Sequence, residues 1–81
     1  MTFTKEHGPV IAVLGEKMVR NPSAVSMIAV QSDFEVMTNE GLLRGKAGDY
    51  LAYDELSGHV WPVSEEYVGM HYTSVAGAWQ G

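Results

Sequence analysis

Apolar and polar residues alternate with a period of two where Phe34, Val36 and Thr38 interleave with Glu35, Met37 and Asn39. That spacing predicts a strand whose Phe34 and Val36 face a core. The break at Asn39-Glu40-Gly41 suits a three-residue hairpin loop in which Gly41 takes the left-handed conformation and Leu42 to Arg44 returns as the partner strand. A second turn, Arg44-Gly45-Lys46-Ala47-Gly48, has Gly48 to supply the positive φ of a type II turn. It launches the strand Asp49 to Asp54, where Tyr50 and Ala52 alternate with Leu51 and Tyr53. After a loop at Asp54 to Gly58, Val60 to Val63 forms the last clear strand, with Pro62 placing it at a sheet edge or at the strand's end.

Upstream, Asn21-Pro22-Ser23 marks a turn, and Ala24 to Val30 carries Val25, Met27, Ile28 and Val30, a strand buried on one face and partly on the other. Val10 to Leu14 and Lys17 to Arg20 flank Gly15 and read as two short hairpin strands or one bent edge strand, while Met1 to Gly8 reads as loose. Ser64 is a good N-cap, and Glu65 and Glu66 meet the positive end of a helix that Val68-Gly69 should cut short. His71 to Val75 has strand composition again, and Trp79 sits in a tail expected to order only when something binds it. Together these elements predict a mainly β, β-rich α+β fold: a small bent antiparallel sheet or partly open barrel of about five to seven short strands, with one short helix near residues 64–69. The expected organisation is an N-terminal extension over 1–18, loose and then an edge strand, a single β-rich domain over 19–75, and a tail over 76–81.

Eighty-one residues allow one domain, and at this size folding removes only about 60% of the surface that the unfolded chain exposes. The chain has no cysteine, so no disulfide reinforces that small core, and a reducing compartment or an oligomer interface is expected. Lys5, Lys17, Arg20, Arg44 and Lys46 all lie in the first 46 positions, where five acids balance them. Asp49, Asp54, Glu55, Glu65 and Glu66 then supply the net charge of -5. So few cations cannot grip a nucleic acid duplex, and the acidity suits solubility or a basic partner. The longest apolar run, Val10 to Leu14, is far below the ~20 residues of a membrane helix. The first residues also lack the order of a signal peptide, so a cytoplasmic location without membrane association is expected.

The residues offer little chemistry. His59 and His71 with Asp49, Asp54 or Glu66 fit no metal-ligand spacing, and no serine lies in a Gly-x-Ser-x-Gly elbow. Adjacent acids at Asp54-Glu55 and Glu65-Glu66 point apart and suit a solvated loop and a helix dipole. Neither catalytic residues nor a cofactor or metal site is assigned. Asp49 is expected to bond backbone N–H groups within its turn, and Gly41, Gly45, Gly48 and Asp49 are read as structural turn residues. Tyr50, Tyr67 and Tyr72 are assigned to the core, whereas Tyr53 beside Trp61 and Arg44 would make an outer-face amphipathic patch.

From Val19 to Val75 the chain resembles the small bacterial and bacteriophage proteins marked by a Pro-Gly-Asp-Tyr or Pro-Gly-Asp-Trp motif, mostly of unknown function. The matching residues are Arg20-Asn21-Pro22, Ala29-Val30-Gln31, Phe34-Glu35-Val36, Thr38, Gly41, Gly45-Lys46-Ala47-Gly48-Asp49-Tyr50-Leu51, Gly58, Trp61-Pro62-Val63, Glu66-Tyr67 and Tyr72. Ala47 stands where that family usually has proline. The resemblance implies a fold and a phage or bacterial setting, and no reaction.

Two functions remain. The first is a non-catalytic interaction module, a phage or bacterial accessory protein that self-associates or binds a protein partner not identified by the sequence. The alternative is an oligomer that sequesters a nucleotide-like small molecule between Arg20, Arg44 or Lys46 and an aromatic wall. An enzyme ranks below both. Arg20, Arg44, Lys46, Tyr53 and Trp61 are the candidate ligand- or partner-binding residues.

Overall fold

A computed structural model describes residues 1–20 and 23–74. The strand-forming character of the chain yields two open sheets that do not close into a barrel. In chain order the elements are β1 (Thr2–Phe3), a 3-10 turn (Lys5–His7), α1 (Gly8–Leu14), β2 (Glu16–Arg20) and β3 (Ser23–Ala29). They continue with β4 (Phe34–Thr38), β5 (Gly41–Gly45), β6 (Tyr50–Tyr53), β7 (Val60–Val63), α2 (Glu65–His71) and β8 (Thr73–Ser74). One sheet has the order β1-β4-β5 and the other β7-β6-β3-β2-β8. The pairs are antiparallel except β1 with β4, which run parallel.

β3 is the organising strand. Its pairing with β2 and β6 leaves it central in the larger sheet, so both of its faces need cover. On one face Val30 joins Ile11 of α1, Phe34 and Val36 of β4, Leu51 and Val60 in a buried cluster, with Phe3, Ile28 and Tyr53 packed against it. On the other, Val25 and Met27 join Met18, Ala52, Val63 and Val68 of α2, with Tyr50, Trp61, Tyr67 and Tyr72 around them. The larger sheet is therefore a middle layer between α2 on one side and the smaller sheet with α1 on the other. Among the described residues no buried side-chain nitrogen or oxygen lacks a hydrogen-bond partner.

The β4–β5 hairpin follows its pattern. Val36 is fully buried opposite Leu43, Met37 and Leu42 pair on the outer face, and Gly41 has φ of 110°. Thr38 tightens the loop: its hydroxyl accepts from Glu40 N at 3.1 Å and donates to Gly41 O at 2.8 Å.

The N-terminal region departs from expectation in two ways. Val10 to Leu14 is helix, not edge strand. Pro9 sits in the first turn, where its fixed φ is already helical and its missing N–H costs nothing. The turn before it is closed by reciprocal bonds, Glu6 N to the Thr4 hydroxyl and Thr4 N to His7 Nδ1. Burial of Ile11 then overrides the strand preference of the Val-Ile-Ala-Val run. The first residues are also part of the fold: Thr2 and Phe3 register with Glu35 and Val36, and the Phe3 ring meets the Phe34 ring edge-on at 5.9 Å. At the C-terminal side, α2 continues through Gly69 to His71, two residues past the expected stop. The expected behaviour of the tail around Trp79 concerns residues outside those described.

Two glycines give opposite expectations. A Cβ on Gly45 would lie 2.2 Å from the ring of buried Phe34, whereas one on Gly69 of α2 would meet nothing within 4 Å. Gly45→Ala should overpack the core and lower stability by about 1–3 kcal/mol. Gly69→Ala should raise it by about 0.5–1 kcal/mol through helix propensity. Thermal unfolding checks both, since 1 kcal/mol moves the midpoint by about 4–8 °C in a domain of this size. An unshifted Gly45→Ala midpoint contradicts the packing described.

Candidate functional site

The turn at Lys46 to Asp49 is a type II turn closed by Asp49 N to Lys46 O at 2.8 Å, with Gly48 at φ 95° in its third position. Ala47 occupies the second position, where proline is common. Every N–H of this turn has an acceptor within the chain. Lys46 N donates to Asp49 Oδ2 at 2.9 Å and Ala47 N to Asp33 Oδ1 at 3.0 Å. Gly48 N donates to Val30 O at 2.7 Å, and Val30 N returns a bond to Asp49 O at 2.9 Å. The other Asp49 oxygen, Oδ1, accepts from Glu65 N at 3.1 Å, so one carboxylate ties the turn to the first residue of α2. Ser64 completes that end of the helix by accepting from Tyr67 N at 3.1 Å.

This geometry bears directly on anion binding. A phosphate at a glycine turn needs free backbone N–H groups, and here two carboxylates and two carbonyls already take them. Arg44 and Lys46 line an open pocket of about 420 Å³, but Asp33 and Glu35 line it too. Arg44 is exposed and registers across β4–β5 with Glu35. The side chain of Arg20, at the end of β2, lies outside the described residues.

The structure separates the residues of the expected outer-face patch. The β6–β7 register sets Tyr53 opposite Val60 and Ala52 opposite Trp61; because side chains alternate, Tyr53 and Trp61 lie on opposite faces. Tyr53 packs on the cluster with Ile11 and Leu51, and its ring lies so close to Gly8 that a Cβ there would be 2.2 Å away. Trp61 packs on the α2 side. The correction follows from register: Tyr53 helps seat α1 on the sheet and has no place beside Trp61.

What gathers around Trp61 is a different set. Trp61, Pro62, Val63, Ser64, Tyr67 and Tyr72 line an open cleft of about 440 Å³ between β7 and α2. The Tyr67 ring lies 6.2 Å from that of Tyr72 and 4.4 Å from that of His71. Trp61, Tyr67 and Tyr72 are each half-buried, so they both cover the core and present ring surface. Assigning Tyr67 and Tyr72 to the core alone missed the second role. The available signal was their placement at either end of one short helix directly after Trp61-Pro62.

The histidines do not converge. His7 caps Thr4, His59 Nε2 lies 3.0 Å from Asn39 Nδ2 at the β4–β5 tip, and the His71 ring lies tilted at 39° against that of Tyr67. Among the described residues no three of His, Cys, Asp and Glu are grouped to hold a metal ion. Comparison with protein-family models, curated proteins and solved structures gives no match to this chain.

Asp49→Ala should lower stability by about 1–3 kcal/mol, because it strips acceptors from Lys46 N and Glu65 N. Asp33→Ala removes the acceptor of one N–H and should cost about 1 kcal/mol or less. Denaturant unfolding of both variants checks the order, and equal losses would contradict the bridging role of Asp49.

Proposed function

We propose that this protein is a small non-catalytic interaction module, an accessory protein of phage or bacterial type, that binds a protein partner through the cleft between β7 and α2. The observation that carries this reading is the half-buried set Trp61, Tyr67 and Tyr72 around one open cleft. Amphipathic rings that are partly exposed in a well-packed setting are the side chains that contribute most at protein interfaces. The motif resemblance supports the phage or bacterial setting, and the cysteine-free composition supports a reducing, cytoplasmic compartment. Among the described residues no helix is long and apolar enough to cross a membrane.

Self-association belongs to the same reading. β5 is the outer strand of its sheet, Leu42 and Leu43 on it are exposed, and Met37 pairs with Leu42 on the outer face. A second copy of β5 offers the matching backbone edge. The nucleotide-sequestering alternative is weaker on physical grounds, since the turn N–H groups are taken and the two cations share their pocket with Asp33 and Glu35.

Size-exclusion chromatography with light scattering should give a mass above that of one chain, and Leu42→Lys should return it to one chain. A nucleotide panel in thermal shift should leave the midpoint unmoved, whereas a true ligand at a hundredfold its Kd would add about 2.7 kcal/mol. A nucleotide shift abolished by Arg44→Ala would replace the interaction reading with the sequestering one.

A further inference from the structure

The described residues leave one side of α1 bare. Its sequence, Gly-Pro-Val-Ile-Ala-Val-Leu, has no polar side chain, and Ile11 seats it on the core. Val10, Val13 and Leu14 stand at the i, i+3, i+4 spacing of one helix face and are 52%, 79% and 69% exposed. A helix that is apolar all round is normally a buried one, so these three side chains need a cover.

The direction of β8 indicates where that cover comes from. β8 pairs antiparallel with β2 at the edge of the larger sheet, with Thr73 opposite Val19 and Ser74 opposite Met18. Chain leaving Ser74 in this register heads back along β2 toward Lys17, Glu16 and Gly15, and Gly15 directly follows α1. Gly15 lies three positions before Met18, about 10 Å along the strand. Gly77 therefore comes level with Gly15, and Trp79 reaches two residues further, over the last turn of α1. Side alternation agrees. Met18 faces the cluster on the α2 side, so Ser74 opposite it shares that face and odd-numbered positions take the other, where Ile11 of α1 is seated.

The chemistry of the segment fits as well. Val75 to Gly81 carries no charge, and Ala76, Gly77 and Ala78 are small residues leading to a single large ring at Trp79. A second copy suits the face less well, because a stable interface takes about 20–30 residues from each side, and α1 has seven, three of them large and bare.

We propose that residues 75–81, which lie outside those described, cover α1 of their own chain: they follow β2 past Gly15 and lay the Trp79 ring across Val10, Val13 and Leu14. The chain after β8 thus completes the packing of the chain before β2, independently of the cleft beside α2.

The test is NOE spectroscopy on the full chain with labelled Val and Leu methyl groups. Contacts from the Trp79 indole protons to the Val13 and Leu14 methyls are the expected result. A sample mixing labelled and unlabelled chains should show none of these contacts between chains. Stability supplies a second reading. Trp79→Ala should lower the thermal midpoint by about 4–8 °C. Val13→Ala should lower it in the parent chain, yet leave it unmoved or raise it in the Trp79→Ala chain, where a bare helix position favours alanine. Trp79 contacts with another surface, or with none, overturn the proposal, as does strict additivity of the two substitutions. Contacts found only between chains assign the cover to a second copy and overturn it equally.

Discussion

The Asp49 carboxylate bonds two parts of the chain that lie sixteen residues apart. One oxygen closes the turn that feeds β6, and the other accepts from the first N–H of α2. α2 is seven residues long, below the ~12–15 residues at which even a favourable helix holds on its own in water. It depends on three supports: the Asp49 bond, the Ser64 cap, and burial of Val68. The last is worth about 1.5–3 kcal/mol for a side chain of this kind. Without the first two, orphan N–H groups would face water in competition with the fold.

That tether also shapes the aromatic cleft. By fixing where α2 begins, Asp49 fixes where Tyr67 and Tyr72 stand relative to Trp61 on β7, and those three rings define the cleft. A small domain must bury its large residues to be stable, and here the same aromatics are only half covered. The saturation of the Lys46 to Asp49 turn works in the same direction. Its N–H groups serve the fold, which leaves the aromatic cleft as the better candidate for recognition.

The sequence disclosed the parts governed by local rules. Period-two alternation and the glycine position predicted the β4–β5 hairpin; Gly48 and Asp49 predicted the second turn; Ser64 predicted the start of α2. It hid what depends on pairing across the chain. The run from Val10 to Leu14 is strand-like by composition, and only the seating of Ile11 against β3 and β6, with Gly8 pressed on Tyr53, makes it a helix. A short apolar run carries too few periods to distinguish the two. Likewise, alternation assigns Tyr53 and Trp61 to faces within their own strands, but the register across β6–β7 decides that those faces are opposite. The second acceptor role of Asp49, reaching sixteen residues along the chain to Glu65, has no local signature at all.

Native-state hydrogen exchange tests this account most directly, because it reads the five N–H groups at the junction one by one. If the turn and the α2 start are one locked unit, Lys46, Ala47, Gly48, Asp49 and Glu65 should exchange as slowly as amides of β3 and β6, with opening tied to global unfolding. Exchange of these five at rates of an unstructured loop, while β3 and β6 stay protected, would contradict it.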